Sequence, residues 1–178
     1  DNLFQFIQSY PLNVLSDDLI EAILSLQTSR TIEWVDRALL SEDQDFRDTV
    51  VYYAIQYNIL SENQLIELFN TTNDDSLFIY LNAIVHQSQE GGKPSKAIIR
   101  LLMRIISAET DVGVRALTVL EQSDFISLMD IDELQDLKTR CYTYMDHVDI
   151  EIAINAIAIL SRLRDIPAYS KIKQIATS

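Results

Sequence analysis

Apolar residues recur along this chain at helical spacing, in short blocks separated by polar turns. Leu19, Ile20, Ile23, Leu24 and Leu26 form one stripe, opened by Ser16 or Asp17, either of which can accept a free amide at a helix start. Further helices are predicted over residues 31–40, with Trp34 and Val35 inward, and over 44–57. A short partner helix carries Leu65, Ile66, Leu68 and Phe69, and others follow over 74–89 and 95–107. Ser41 with Gln44, and Ser61 with Gln64, have the spacing of a reciprocal capping box, and Asp130 with Glu133 repeats it with an acid in front. Residues 2–9 predict a helix ended by Tyr10-Pro11, because the residue before proline is pushed out of the helical region. Residues 125–128 predict one loose turn. Pro167 would sit in the first turn of a last helix, where its missing amide costs nothing.

Two stretches organise this pattern. Asp111-Val112-Gly113-Val114-Arg115-Ala116-Leu117 and Asp149-Ile150-Glu151-Ile152-Ala153-Ile154 each open with an acid and run into a broad apolar stripe, at an offset of 38 residues. That offset is close to the period of roughly 40 residues in stacked helix-pair repeats. Asp45 and Asp74 open weaker versions, with Asp48 at the apolar position of the first and Leu77-Phe78 in the second. The Asp-x-x-Val-Arg-Ala-Leu arrangement at Asp111, Val114, Arg115, Ala116 and Leu117 resembles a HEAT or armadillo-like repeat. The Asp149 stretch matches in part, with Ile152 for valine and Ala153 for arginine. The resemblance covers about residues 41 to 165. It implies an all-α fold, a right-handed α-solenoid of antiparallel helix pairs, with stacked repeats sharing one core. The chain is expected to form a single domain over 1–178, cut from a longer protein, with a joint at 90–94 where its one glycine pair, Gly91-Gly92, precedes Pro94.

Composition fits this picture. Three glycines and three prolines in 178 residues leave few places for tight turns. The net charge of −13 is placed unevenly: residues 1–92 hold three arginines against fifteen carboxylates, whereas residues 93–178 are nearly balanced, with eleven basic and twelve acidic side chains. A field of that sign repels phosphate backbones and steers basic partners toward the first half. The lone Cys141 has no partner for an internal disulfide, which fits a reducing compartment, cytoplasmic or nuclear. No apolar run reaches the length of about 20 residues that spans a bilayer, so membrane insertion is not expected.

Enzyme motifs are missing: no nucleophile elbow, no His-Glu-x-x-His and no phosphate-binding loop. The chain therefore reads as noncatalytic, without metal or cofactor. Asp130, Asp132, Glu133 and Asp136 lack the glycine and the twelfth-position glutamate of a calcium loop, and helix capping accounts for them. Two surfaces are candidates for binding. Phe46, Val50, Tyr53 and Tyr57 share one helical face, with Tyr52 beside them and Asp45 and Asp48 near the helix start. This is either core or an acidic, tyrosine-lined groove for a basic peptide segment of another protein. Lys93, Lys96, Arg100 and Arg104 share a face of a later helix, suited to an acidic segment or nucleic acid, or else a solvated face. The leading expectation is an interaction scaffold or adaptor that binds a partner segment along the acidic face. The alternatives are nucleic-acid handling through the basic row and a regulatory subunit of an enzyme.

Overall fold

The computed structural model describes residues 15–89, 95–107, 109–122, 124–165 and 173, and every regular element among them is helical. In chain order these are α1 (Asp17–Ser25), α2 (Ser29–Ala38), α3 (Gln44–Gln56), α4 (Glu62–Thr71) and α5 (Asp74–Gln89), followed by α6 (Lys96–Ile105) and α7 (Asp111–Gln122). A 3-10 turn (Asp124–Leu128), α8 (Ile131–Tyr144) and α9 (Ile150–Arg162) complete the order. The chain clusters into two compact units, Asp1–Lys93 and Pro94–Ser178. The predicted joint at 90–94 and the predicted helices at 2–9 and after residue 165 lie outside the described residues.

In the first unit α3 packs against α1, α2 and α5. Its Phe46, Val50 and Ala54 meet Ile20, Ile23 and Leu24 of α1 and Trp34, Val35 and Ala38 of α2 in one buried cluster. The Trp34 and Phe46 rings meet edge to face at 6.3 Å. Burying side chains of this size stabilises by about 1.5–3 kcal/mol each. The stripe that opens with Phe46 and Val50 is thus core in its first half, while Tyr53 and Tyr57 lie half-buried against the same cluster.

The helix starts follow side-chain capping. Ser61 and Gln64 close a reciprocal box on α4, as Asp130 and Glu133 do on α8, each worth about 1 kcal/mol. Thr28 and Thr31 form a third box that the sequence pattern did not announce, because threonine stands where glutamate or glutamine is expected. The expected Ser41 box does not form. Asp43 caps α3 by accepting the Phe46 amide, and Gln44 is drawn away to a buried carboxylate. No glycine stands among the described residues that follow a helix. Gln27, Asn58 and Arg164 take the left-handed conformation, and after α3 the Ile59 amide reaches back to the Ala54 carbonyl at 2.9 Å.

In the second unit α7 packs against α6 and α9, and α8 packs against α9. The two organising stretches are therefore direct neighbours. Asn155 of α9 donates through Nδ2 to Thr118 Oγ1 of α7 at 2.9 Å, and Arg162 donates to the Glu121 carbonyl further along, so the two helices run the same way. Gly113 lets the first turn of α7 lie on the preceding connector: a Cβ there would fall 2.5 Å from the backbone N and O of Ser107. Any side chain would have to displace backbone at that point.

Candidate functional site

The face of α3 beside α5 is built around Asp48. This residue is 5% exposed, and it accepts from Gln44 Nε2 (2.8 Å) and Tyr80 hydroxyl (2.8 Å) on Oδ1 and from Ser76 hydroxyl (2.6 Å) on Oδ2. Hydrogen bonds to a charged acceptor contribute about 1.5–3 kcal/mol each, and they offset the cost of taking the carboxylate out of water. Burial, and the carboxylate beside it, push the Tyr80 hydroxyl well above 10.0, against a lowering contribution from Thr72. Asp48 is thus placed differently from the sequence expectation. It stands where the repeat resemblance expects an apolar residue, and it is a seam residue between α3 and α5 with its oxygens already engaged.

Further along the same seam, Gln87 Nε2 donates to the Ile55 carbonyl at 2.7 Å and to Asn58 Oδ1 at 2.8 Å. Between these points Tyr52 hydroxyl and His86 Nδ1 share a hydrogen bond of 2.8 Å, with their rings 5.9 Å apart. His86 is exposed and braces this tyrosine.

Above Asp48 the surface opens into a shallow depression of about 460 Å³, bounded by Asp17 of α1, Asp45, Thr49, Tyr52 and Tyr53 of α3, and Ile79 of α5. Four of the five residues expected in the acidic groove, Asp45, Asp48, Tyr52 and Tyr53, are brought together here. Asp45 and Asp17 are exposed at the rim, while Asp48 lies at the floor. Tyr52 and Tyr53 meet edge to face at 5.2 Å. The Tyr53 hydroxyl is raised above 10.0, first by burial and then by the negative charges of Glu21 and Asp17, with Tyr52 and Asp18 adding smaller contributions. Negative potential therefore converges on this ring. Tyr57 is not part of the depression: it caps the end of α3, and its hydroxyl donates to Glu21 Oε1 at 3.2 Å. Asp17 and Glu21 were missed as site residues in the sequence, since nothing in the linear pattern brings α1 beside α3.

The second expected surface divides differently. Lys96, Arg100 and Arg104 lie exposed along α6, opposite the buried Ala97, Ile98, Ile99, Leu101, Leu102 and Met103, while Lys93 lies outside the described residues. Among the described residues no three of His, Cys, Asp and Glu are gathered as a metal site would require. Asp130 and Glu133 are used in capping, and Asp136 pairs with Arg140 at 3.1 Å. No described helix is long and apolar enough to cross a membrane. Cys141 is fully buried and its thiol is pushed up to about 12 by that burial, which suppresses its reactivity. Comparison with protein-family models, with curated proteins and with solved structures finds no match.

Proposed function

We propose that this protein is a noncatalytic interaction scaffold, built of stacked helix hairpins, whose first unit binds a basic segment of a partner protein in the depression beside Tyr52 and Tyr53. The stacking is supported by the way next-but-one helices pair at similar sequence offsets. Gln64 meets Asp36 (28 residues apart), Tyr80 meets Asp48 (32), Arg140 meets the Ile106 carbonyl (34) and Asn155 meets Thr118 (37). An array of such hairpins leaves each helix layer with a long face for a partner.

The observation that carries the binding site is the coincidence of charge with a concave aromatic wall. A lysine or arginine entering the depression would set its stem on Tyr52 and Tyr53 and its charge between Asp17 and Asp45. The surrounding unit carries fifteen carboxylates against three arginines over residues 1–92, which steers such a segment inward. The test is calorimetric titration of the full chain with a lysine- and arginine-rich peptide at low and high salt. Reversing Asp17 and Asp45 together to lysine is expected to weaken binding by about tenfold, since exposed pairs contribute about 0.2–1 kcal/mol each and repulsion replaces them. Equal affinity for the double variant and the parent would place the site elsewhere.

A further inference from the structure

On the other side of α3 lies a cleft of about 530 Å³ whose chemistry differs from that of the depression. Its apolar lining comes from Leu39 and Leu40 at the end of α2, Val51 of α3 and Leu68 of α4, and its rim carries Asp36 and Glu67. We infer that this cleft is a docking site for a partner segment that inserts an aliphatic or aromatic side chain and places a lysine or arginine beside it.

Three observations support this occupant. The volume falls within the roughly 300–1,000 Å³ of pockets that enclose ligands, enough for more than one large side chain. Leu40 stands 82% exposed at the mouth, held out of the core by the closing turn of α2, where its amide bonds to the Arg37 carbonyl at 3.2 Å. An inserted apolar group would cover it and so recover burial that the free protein leaves unused. Charge selects the flanking residue. Arg47 also lines the cleft, with its guanidinium turned to the Ser41 carbonyl and Gln44 Oε1, so the exposed carboxylates of Asp36 and Glu67 leave the lining with one negative charge in excess.

The cleft is also propped open. Gln64 donates through Nε2 to Asp36 Oδ1 at 2.8 Å while its Oε1 accepts from the Ser61 amide, so one side chain both caps α4 and ties it to α2. The floor beneath does not need to rearrange for entry, since Val51 and Tyr80 are buried and Tyr80 is fixed by Asp48. Binding here would spend little on ordering the protein.

The test is selection of a phage-displayed library of 12-residue peptides against the full chain, followed by affinity measurement on Leu40→Asp, Glu67→Lys and the Asp17→Lys/Asp45→Lys double variant. Selected peptides should share an aliphatic or aromatic residue next to lysine or arginine. They should bind Leu40→Asp at least tenfold more weakly, lose affinity on Glu67→Lys, and be indifferent to the double variant. Leu40 and Glu67 are exposed, so unchanged melting and Trp34 fluorescence will show that these variants fold. If no selected peptide responds to Leu40→Asp, the inference falls. Peptides sensitive only to the double variant would support the depression and reject the cleft. A dimer in sedimentation that Leu40→Asp disperses would also reject it, by identifying a second copy as the occupant.

Discussion

The α3–α5 seam and the α7–α9 seam solve one problem with different chemistry. Each joins two helices that run the same way, and each places a polar bond in a buried position. In the first unit the bond centre is a carboxylate, Asp48, held by Gln44, Ser76 and Tyr80. In the second it is a neutral amide, Asn155, held by Thr118, whose own hydroxyl donates to the Val114 carbonyl at 3.1 Å. A buried charge concentrates stability in one residue, because its partners are all left wanting when it goes. A neutral pair spreads the dependence, and the apolar contacts of Ile152, Ala156 and Ile159 remain.

The largest expected effect follows from that asymmetry. Asp48→Ala should destabilise the first unit by about 3 kcal/mol, because it strands the buried hydroxyls of Ser76 and Tyr80 and takes one of two acceptors from the half-buried Gln44 amide. Hydrogen exchange should then accelerate in α3 and α5 while α7 and α9 keep their protection. Equal acceleration in both pairs of helices would dissolve the contrast.

Alkali should invert the ranking. Burial raises the Cys141 thiol from 9.0 to about 12 and raises the Tyr80 hydroxyl above 10.0, so the folded state holds protons that the unfolded chain releases. The stability each group contributes is complete below its unfolded value and is lost as pH rises toward its folded one. Near pH 10.5 the thiol accounts for a loss of about 2 kcal/mol, whereas the raised hydroxyls of the first unit, Tyr80 and Tyr53, start from a higher unfolded value and account for less. Urea denaturation near pH 8 and pH 10.5 should therefore show the second unit weakening more, and Cys141→Ala should remove most of that difference. A slope unchanged by the substitution would mean that other groups carry it. The smallest effect is Asn155→Ala, expected to cost about 1 kcal/mol, with faster exchange confined to α7 and α9.

Much of the helix order was legible in the sequence because apolar periodicity and hydroxyl or acid caps are local signals. The Asp111 and Asp149 stretches were seen as equivalent, and they pack side by side. What escaped depends on residues far apart in the chain. Asp48 looked like a surface acid because its neighbours in sequence are acidic and polar, yet its partners Ser76 and Tyr80 lie a helix pair away. Tyr57 shares the α3 stripe with Tyr53, yet Glu21 takes its hydroxyl. The cleft had no linear signature at all, since Leu39 and Leu40 look like the end of an ordinary stripe until α4 stands opposite them. Helix ends were also hard to read, because Gln27, Asn58 and Arg164 adopt a conformation that glycine usually marks.

Trp34 is the chain's one indole and Cys141 its one thiol, and the two lie in different units, each fully enclosed. The protein thus comes already labelled. Ultraviolet emission follows the opening of the first unit and alkylation follows that of the second, so the two unfolding events can be timed separately on the unmodified polypeptide.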